Sequence, residues 1–170
     1  MKINKMQISK PSKEFAKDIY NLVKNTKVLD LNSEYLYLLQ TTHFKNTCSM
    51  FIFEKKVAGF VSAYRIPDFP NKLFIWQVAV DAEFRGKGIA QKLILEILKR
   101  EENKDIEYIN TTVSPSNYAS IKVFDKLTST LQTQITSKSF LEKEDFTNQH
   151  EEEVLYEIGP FNLKEKNENI

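Results

Sequence analysis

Cysteine is almost absent from this chain of 170 residues: Cys48 stands alone, so no intramolecular disulfide framework can form. It lies in Thr47-Cys48-Ser49-Met50-Phe51, the start of an expected strand, and reads as a small core residue rather than a nucleophile. Glycine is scarce too, with four in all, and two of these, Gly86 and Gly88, fall in one turn. Neither G-x-x-x-x-G-K-S/T nor G-x-G-x-x-G occurs, so a nucleotide triphosphatase or dinucleotide-binding reading lacks its loop. Charge of one sign is not in excess. With 24 basic and 23 acidic side chains the formal charge is +1, which gives no argument for nucleic acid or an anionic membrane as partner. No apolar run approaches membrane-spanning length, and the opening residues MKINKMQISKPSKEF carry no signal-peptide core. The chain is therefore expected in the cytoplasm. Its length suits a single domain, expected over residues 1–161, with 162–170 (NLKEKNENI) as a flexible tail.

The most informative stretch is LFIWQVAVDAEFRGKGIA, residues 73–90. Aromatic and β-branched residues from Leu73 to Val80, broken only by Gln77, predict a strand. A polar turn over 81–84 leads into Arg85-Gly86-Lys87-Gly88-Ile89-Ala90, which opens a helix to about Arg100 with Ile89, Ala90, Leu93, Ile94, Ile97 and Leu98 on its apolar face. A strand feeding a glycine turn at a helix N-terminus makes an anion site. The first-turn N–H groups lack intrahelical acceptors, the dipole is positive there, and glycine lets a phosphate approach the backbone. Arg85, Gly88 and Ala90 form Arg-x-x-Gly-x-Ala, which resembles the pyrophosphate loop of the GNAT superfamily of N-acetyltransferases, binders of acetyl-coenzyme A. On these six residues alone, an ordinary strand–helix turn is the alternative.

Along the rest of the chain, residues 3–9 predict a strand ended by Pro11, and Ser12 a cap for a helix burying Phe15, Ile19, Leu22 and Val23. Asn32 or Ser33 is expected to cap a second helix reaching toward His43 and Phe44. Residues 48–54 and 57–64 read as a hairpin, and 65–71, with two prolines, as a loop. Residues 106–113 predict a strand, Ser114-Pro115-Ser116-Asn117 a break that caps a helix through Ala119, Val123, Phe124 and Leu127, and 154–158 a last strand after a polar stretch ending at His150. Strand, helix, strand, helix in this order implies a right-handed crossover with ligand near the carboxyl ends of the strands.

Three blocks carry a narrower resemblance. Leu29-Asp30-Leu31-Asn32-Ser33 through Tyr35 to Leu39 with His43-Phe44, then Gly59-Phe60-Val61-Ser62 with Tyr64-Arg65, Pro67 and Trp76 to Val80, then Thr111 to Asn117 with Ala119-Ser120, resemble the family of L-2,4-diaminobutyrate acetyltransferases of ectoine biosynthesis. The resemblance implies an α/β fold whose mixed, mostly antiparallel central sheet has helices on both faces and a splayed central strand. It implies acetyl transfer from acetyl-coenzyme A to the γ-amine of a small diamino acid, no metal, and a homodimer.

The chemistry it implies asks for particular groups. A primary amine must lose a proton before it attacks the thioester, and the tetrahedral oxyanion needs a donor. The resemblance gives coenzyme contacts to the backbone of Val78 and Val80, to Arg85, Gly86, Lys87, Gly88, Ile89 and Ala90, and to Asn117, which is equally a helix cap. For the pocket it gives Asp30, Tyr35, Trp76, Gln77, Asn117 and His150, with Glu153 as the proton acceptor or the anchor of a water that accepts it. Gln77 in an apolar strand needs a partner on any reading, and a neighbouring loop would serve. His150-Glu151-Glu152-Glu153 could equally be a solvated charge run; the choice of Glu153 rests on the resemblance. Many superfamily members place a tyrosine seven residues after the asparagine; here that position is Phe124, which cannot protonate a leaving thiolate. Two other readings share parts of this pattern. An acetyltransferase for another small diamine or amino acid would keep the loop without the Asp30 to His43 block. A non-catalytic coenzyme A-binding module would be favoured by an eroded loop, whereas Arg85, Gly86, Gly88 and Ala90 are all present.

Overall fold

A computed structural model describes residues 6–163; the expected strand residues 3–5 and tail residues 164–170 lie outside the described residues. Seven strands form a mixed sheet in the order β1-β2-β3-β4-β5-β7-β6. They are β1 (Met6–Ser9), β2 (Ser49–Phe53), β3 (Lys56–Ile66), β4 (Phe69–Val80), β5 (Tyr108–Val113), β6 (Ile135–Leu141) and β7 (Glu153–Ile158). The β4–β5 pair is parallel, while β1–β2, β2–β3, β5–β7 and β6–β7 are antiparallel. The helices are α1 (Ala16–Thr26), α2 (Glu34–Gln40), α3 (Ile89–Lys99) and α4 (Tyr118–Thr130). The chain groups into two compact units, one holding the residues up to Tyr64 with Trp76–Lys104, the other Arg65–Ile75 with the residues from Asp105 onward.

In the first unit, α1 presents Ile19, Leu22 and Val23 at helical spacing, and these pack with Tyr37 of α2 on Cys48 and on Met50, Val57, Phe60 and Ala79 of the strands. The other face of these strands meets α3: a Cβ built on Gly59 would lie 3.1 Å from Phe51 Cβ, 3.2 Å from Leu93 and 3.3 Å from Ile89. Glycine at that position lets the helix lie close on the sheet. Ala90, expected on the same apolar face, is only half-buried. The β2–β3 turn is the expected hairpin, with Glu54 and Lys55 both at positive φ, as a two-residue turn of matching twist requires. Ser12 does not cap α1. One 3₁₀ turn, Lys13–Phe15, precedes the helix, Phe15 N–H donates to the Ser12 carbonyl (3.0 Å), and the Ser12 hydroxyl donates to Glu14. Ser33, not Asn32, caps α2, accepting from Leu36 N–H.

The second unit corrects two expectations. Residues 65–71 are not a loop: β3 runs to Ile66, β4 starts at Phe69, and Pro67-Asp68 form the turn. Pro70 is tolerated because it stands at the strand's beginning, and its carbonyl accepts from the Arg65 guanidinium (2.7 Å), which also grips Asp105 with two nitrogens. The polar stretch before His150 contains β6, among the described residues an edge strand paired only to β7, with every side chain half or fully exposed. No apolar alternation marks it because neither face covers a core. On α4, Phe124, Leu127 and Thr128 are buried, and Asn117 Oδ1 accepts from Ser120 N–H (3.2 Å), the expected cap.

Candidate active site

The second half of β4 sorts its side chains by parity: Gln77 and Ala79 are buried, whereas Trp76, Val78 and Val80 are exposed or half-buried. Gln77 is the glutamine satisfied by a neighbouring loop. Its amide Nε2 donates to the Asp30 carbonyl (2.6 Å), its Oε1 accepts from Tyr37 Oη (3.1 Å), and its backbone N–H donates to Ser62 Oγ (3.2 Å). The side chain thus faces the loop rather than the accessible side of the strand. Trp76, 47% exposed, packs edge-on to Tyr64 with ring centroids 6.2 Å apart. Burial pushes the Tyr64 hydroxyl above the ordinary tyrosine pKa. Asp30 is exposed, and Tyr35 on α2 is 70% exposed.

Beyond Val80 the turn is held by bonds within the chain. Asp81 N–H donates to the Ala58 carbonyl (2.8 Å), and the Asp81 carboxylate accepts from Glu83 N–H and from Lys56 Nζ at 2.9 Å. Chiefly through the Lys56 contact, then the Glu83 N–H, that carboxyl is held below its usual range. Phe84 is buried against the rings of Phe51 and Phe53, and Lys87 Nζ lies over the Phe84 ring at 5.2 Å. Arg85 Nε donates to the Val80 carbonyl (3.1 Å), engaging one of five guanidinium donors and closing the turn. That carbonyl thus accepts one bond from within the chain. Gly86 and Gly88 stand at φ +73° and +74°, each with nothing within 4 Å of where a Cβ would be. They are needed for backbone shape rather than for space. Gly88 caps α3, its carbonyl accepting the helical bond from Lys92 N–H, so the first-turn N–H groups lie where an anion would meet them.

In the second unit the β5–α4 turn grips the acidic run. Ser114 Oγ donates to Glu153 Oε1 (3.1 Å), while Ser116 donates to Glu151 through its hydroxyl (2.5 Å) and its N–H (3.2 Å). The Ser116 hydroxyl first, then its N–H, hold the Glu151 carboxyl below the ordinary range. Glu153 opens β7, paired with Leu141, and its Oε1 lies 3.9 Å from His150 Nε2. The His150 ring stacks on Phe146 at 4.0 Å, and its Nδ1 lies 2.5 Å from the Glu151 carbonyl. His150 and Glu153 are thus brought together, with Asn117 at the head of α4 on the same β5–α4 turn as Ser114.

Cys48 is fully buried, and burial pushes its thiol up to about 12. With the folded pKa above the unfolded one, the neutral thiol contributes stability that is complete below about pH 8.5 and is lost as pH rises toward the folded value. Native protein at pH 8 should consume no iodoacetamide beyond its unfolding rate, whereas denatured protein should take up one equivalent by mass; rapid native alkylation would reopen a thiolate mechanism.

The sequence profile of the acetyltransferase (GNAT) family matches residues 16–128. This chain belongs to that family. Among GNAT relatives, the L-2,4-diaminobutyric acid acetyltransferase of Methylotuvimicrobium alcaliphilum is 42% identical over 155 residues, covering 91% of this chain and 90% of its own length. The L-2,4-diaminobutyric acid acetyltransferase of Vibrio cholerae is 41% identical, covering 88% of this chain and 87% of its own. The diaminobutyrate acetyltransferase EctA of Paenibacillus lautus, solved in complex with its substrate L-2,4-diaminobutyric acid and coenzyme A, superposes with a TM-score of 0.89 at 34% identity over 94% of this chain and 97% of that one.

Within this GNAT chain, reasoning from sequence missed Tyr37, Ser62, Ser114 and Ser116. Tyr37 carries the one signal that could have exposed it: a tyrosine on the buried side of a short helix needs a hydroxyl partner, and Gln77 needed one too. Phe124, where many GNAT relatives have tyrosine, is a core residue at 3% exposure.

Proposed function

We propose that this acetyltransferase moves the acetyl group of acetyl-coenzyme A to the γ-amine of L-2,4-diaminobutyrate, the acetylation step of ectoine biosynthesis. The observation that carries this reading is the likeness to a diaminobutyrate acetyltransferase solved with that amino acid and coenzyme A, which extends over nearly the whole of both chains. The chain's own residues supply the chemistry. The glycine turn and the α3 N-terminus receive the pyrophosphate, with Arg85 and Lys87 at its rim, and Val78 lends its backbone to the pantetheine arm. An amine with a pKa of about 10 is only roughly one-thousandth free base at pH 7, a cost of about 4 kcal/mol before attack. Glu153, held by Ser114 and flanked by His150, takes that proton directly or through a water. The attacking nitrogen forms a C–N bond to the acetyl carbon and gives up its second surplus proton to solvent, the oxyanion collapses, and the C–S bond breaks to release coenzyme A as its thiolate. No tyrosine stands at position 124 to protonate it, so the proton comes from solvent or another group.

Asp30 holds the α-ammonium, and Tyr35 and Trp76 wall the pocket. Asn117 serves coenzyme or substrate besides capping α4. The enzyme works in the cytoplasm as a homodimer; the exposed apolar side chains Val28, Leu31, Tyr35 and Leu38 in one short segment support a covered surface there. Release of free thiol from acetyl-coenzyme A, compared among L-2,4-diaminobutyrate, ornithine, lysine and a polyamine, tests the substrate, and NMR of the product places the acetyl group. Preference for diaminobutyrate with γ-acetylation is expected. Turnover only with another amine would overturn the substrate and leave the acetyltransferase.

A further inference from the structure

We infer that Tyr37 is a positioning residue for the amino-acid substrate, acting through Gln77 on the loop that carries Asp30; this rests on the reading of Asp30 as a substrate contact. Residues 27–33 have no regular secondary structure, and Val28, Asp30 and Leu31 in them are exposed. Besides Leu29, which packs on the core, a short polar chain holds this loop from inside. Asn32 N–H donates to Tyr37 Oη (3.5 Å), Tyr37 Oη donates to Gln77 Oε1 (3.1 Å), and Gln77 Nε2 donates to the Asp30 carbonyl (2.6 Å). Both ends of the chain fall on loop backbone, on either side of Leu31. Its middle is anchored to β4 because Gln77 is buried there, with its own N–H on Ser62.

The Tyr37 ring is completely buried, edge-on to Tyr20 at 6.0 Å and to Phe60 at 6.4 Å. Phenylalanine would fill that space equally well. The hydroxyl contributes nothing to this apolar packing, and burying it without partners is costly, so its role lies in the contacts it makes. The position of Asp30 is thereby referenced to the strand that bears Trp76, which adds to the hold that Leu29 already gives the loop through the core.

Tyr37→Phe in the full chain keeps the packing and cuts the chain at its centre. Steady-state kinetics should show KM for L-2,4-diaminobutyrate raised about tenfold, with KM for acetyl-coenzyme A changed by less than about twofold. Phe60→Leu loosens the same cluster without touching the polar chain, and should lower Tm while leaving the amine KM unchanged. With Asp30→Asn already in place, Tyr37→Phe should add less than about a threefold further rise, because both changes remove the same contact. An unchanged amine KM, both KM values rising together, or effects that multiply in the double variant would overturn the inference. Wild-type turnover with a different amine alone would defeat the substrate reading instead, and the same KM split would then be read with that amine.

Discussion

Replacing Glu153 with glutamine is expected to lower kcat at pH 7 by about 10²- to 10⁴-fold, the range over which a positioned general base contributes. Glutamine keeps the size of the side chain, and its amide oxygen can still accept from Ser114 Oγ, so the start of β7 should stay paired with Leu141 and Tm should hardly move. What disappears is the ability to take a proton from the incoming ammonium. Because the substrate supplies its own free base as pH rises toward its pKa of about 10, the deficit of Glu153→Gln should shrink steadily between pH 7 and pH 10. Glu151→Gln provides the contrast. That carboxylate is committed to the hydroxyl and N–H of Ser116, so its loss should loosen the β5–α4 turn and change kcat by less than about tenfold. Rate profiles of both variants against pH decide the matter. A Glu153→Gln deficit that stays constant to pH 10, or a larger loss at Glu151, would remove Glu153 from the role of base.

Gly159→Ala is the substitution expected to cost most stability, about 2–6 kcal/mol from backbone strain and overpacking together, or a Tm loss of about 5–20 °C. Gly159 stands at φ +145°, a region L side chains rarely adopt, and a Cβ there would lie 2.5 Å from Tyr108 Cδ1 and 2.7 Å from the Glu107 carbonyl oxygen. The second contact cannot be relieved by a rotamer change. The Glu107 carbonyl is itself fixed by Phe161 N–H at 2.9 Å, and Gly159 N–H is tied to the Gln134 carbonyl at 3.1 Å. Gly86→Ala makes a fair comparison: its φ is also positive, but open space surrounds the Cβ position, so conformational strain of about 1–2 kcal/mol is the whole effect. Thermal melts of the two variants should differ by several degrees, and a Gly159→Ala protein melting within about 2 °C of wild type would show that the turn yields.

Much of this fold can be read from residues whose local signals agree with their surroundings. The β4–α3 passage announces itself because apolar strand, glycine turn and amphipathic helix follow one another, and each is found in place. β6 escaped because an edge strand covering no core has no reason to alternate, and Lys138 and its serine neighbours read only as a polar stretch. The 65–71 hairpin escaped because proline was given more weight than its position at a strand's start warrants. Among the site residues, Asp30, Tyr35, Trp76, His150 and Glu153 came from resemblance, since none has a spacing that demands chemistry. Gln77 was the exception: a polar side chain in an apolar strand must find partners, and it did, in Tyr37 and the Asp30 carbonyl. That partnership joins residues forty apart in sequence, which no local pattern encodes.

The sealed position of Cys48 bears on an enzyme whose product is a thiol. Each turnover releases coenzyme A, which readily forms disulfides and exchanges them with exposed protein thiolates. A chain whose single thiol is buried, and neutral well above physiological pH, offers coenzyme A disulfide nothing to attack. Its covalent state should stay the same whether the surrounding coenzyme pool is reduced or oxidised.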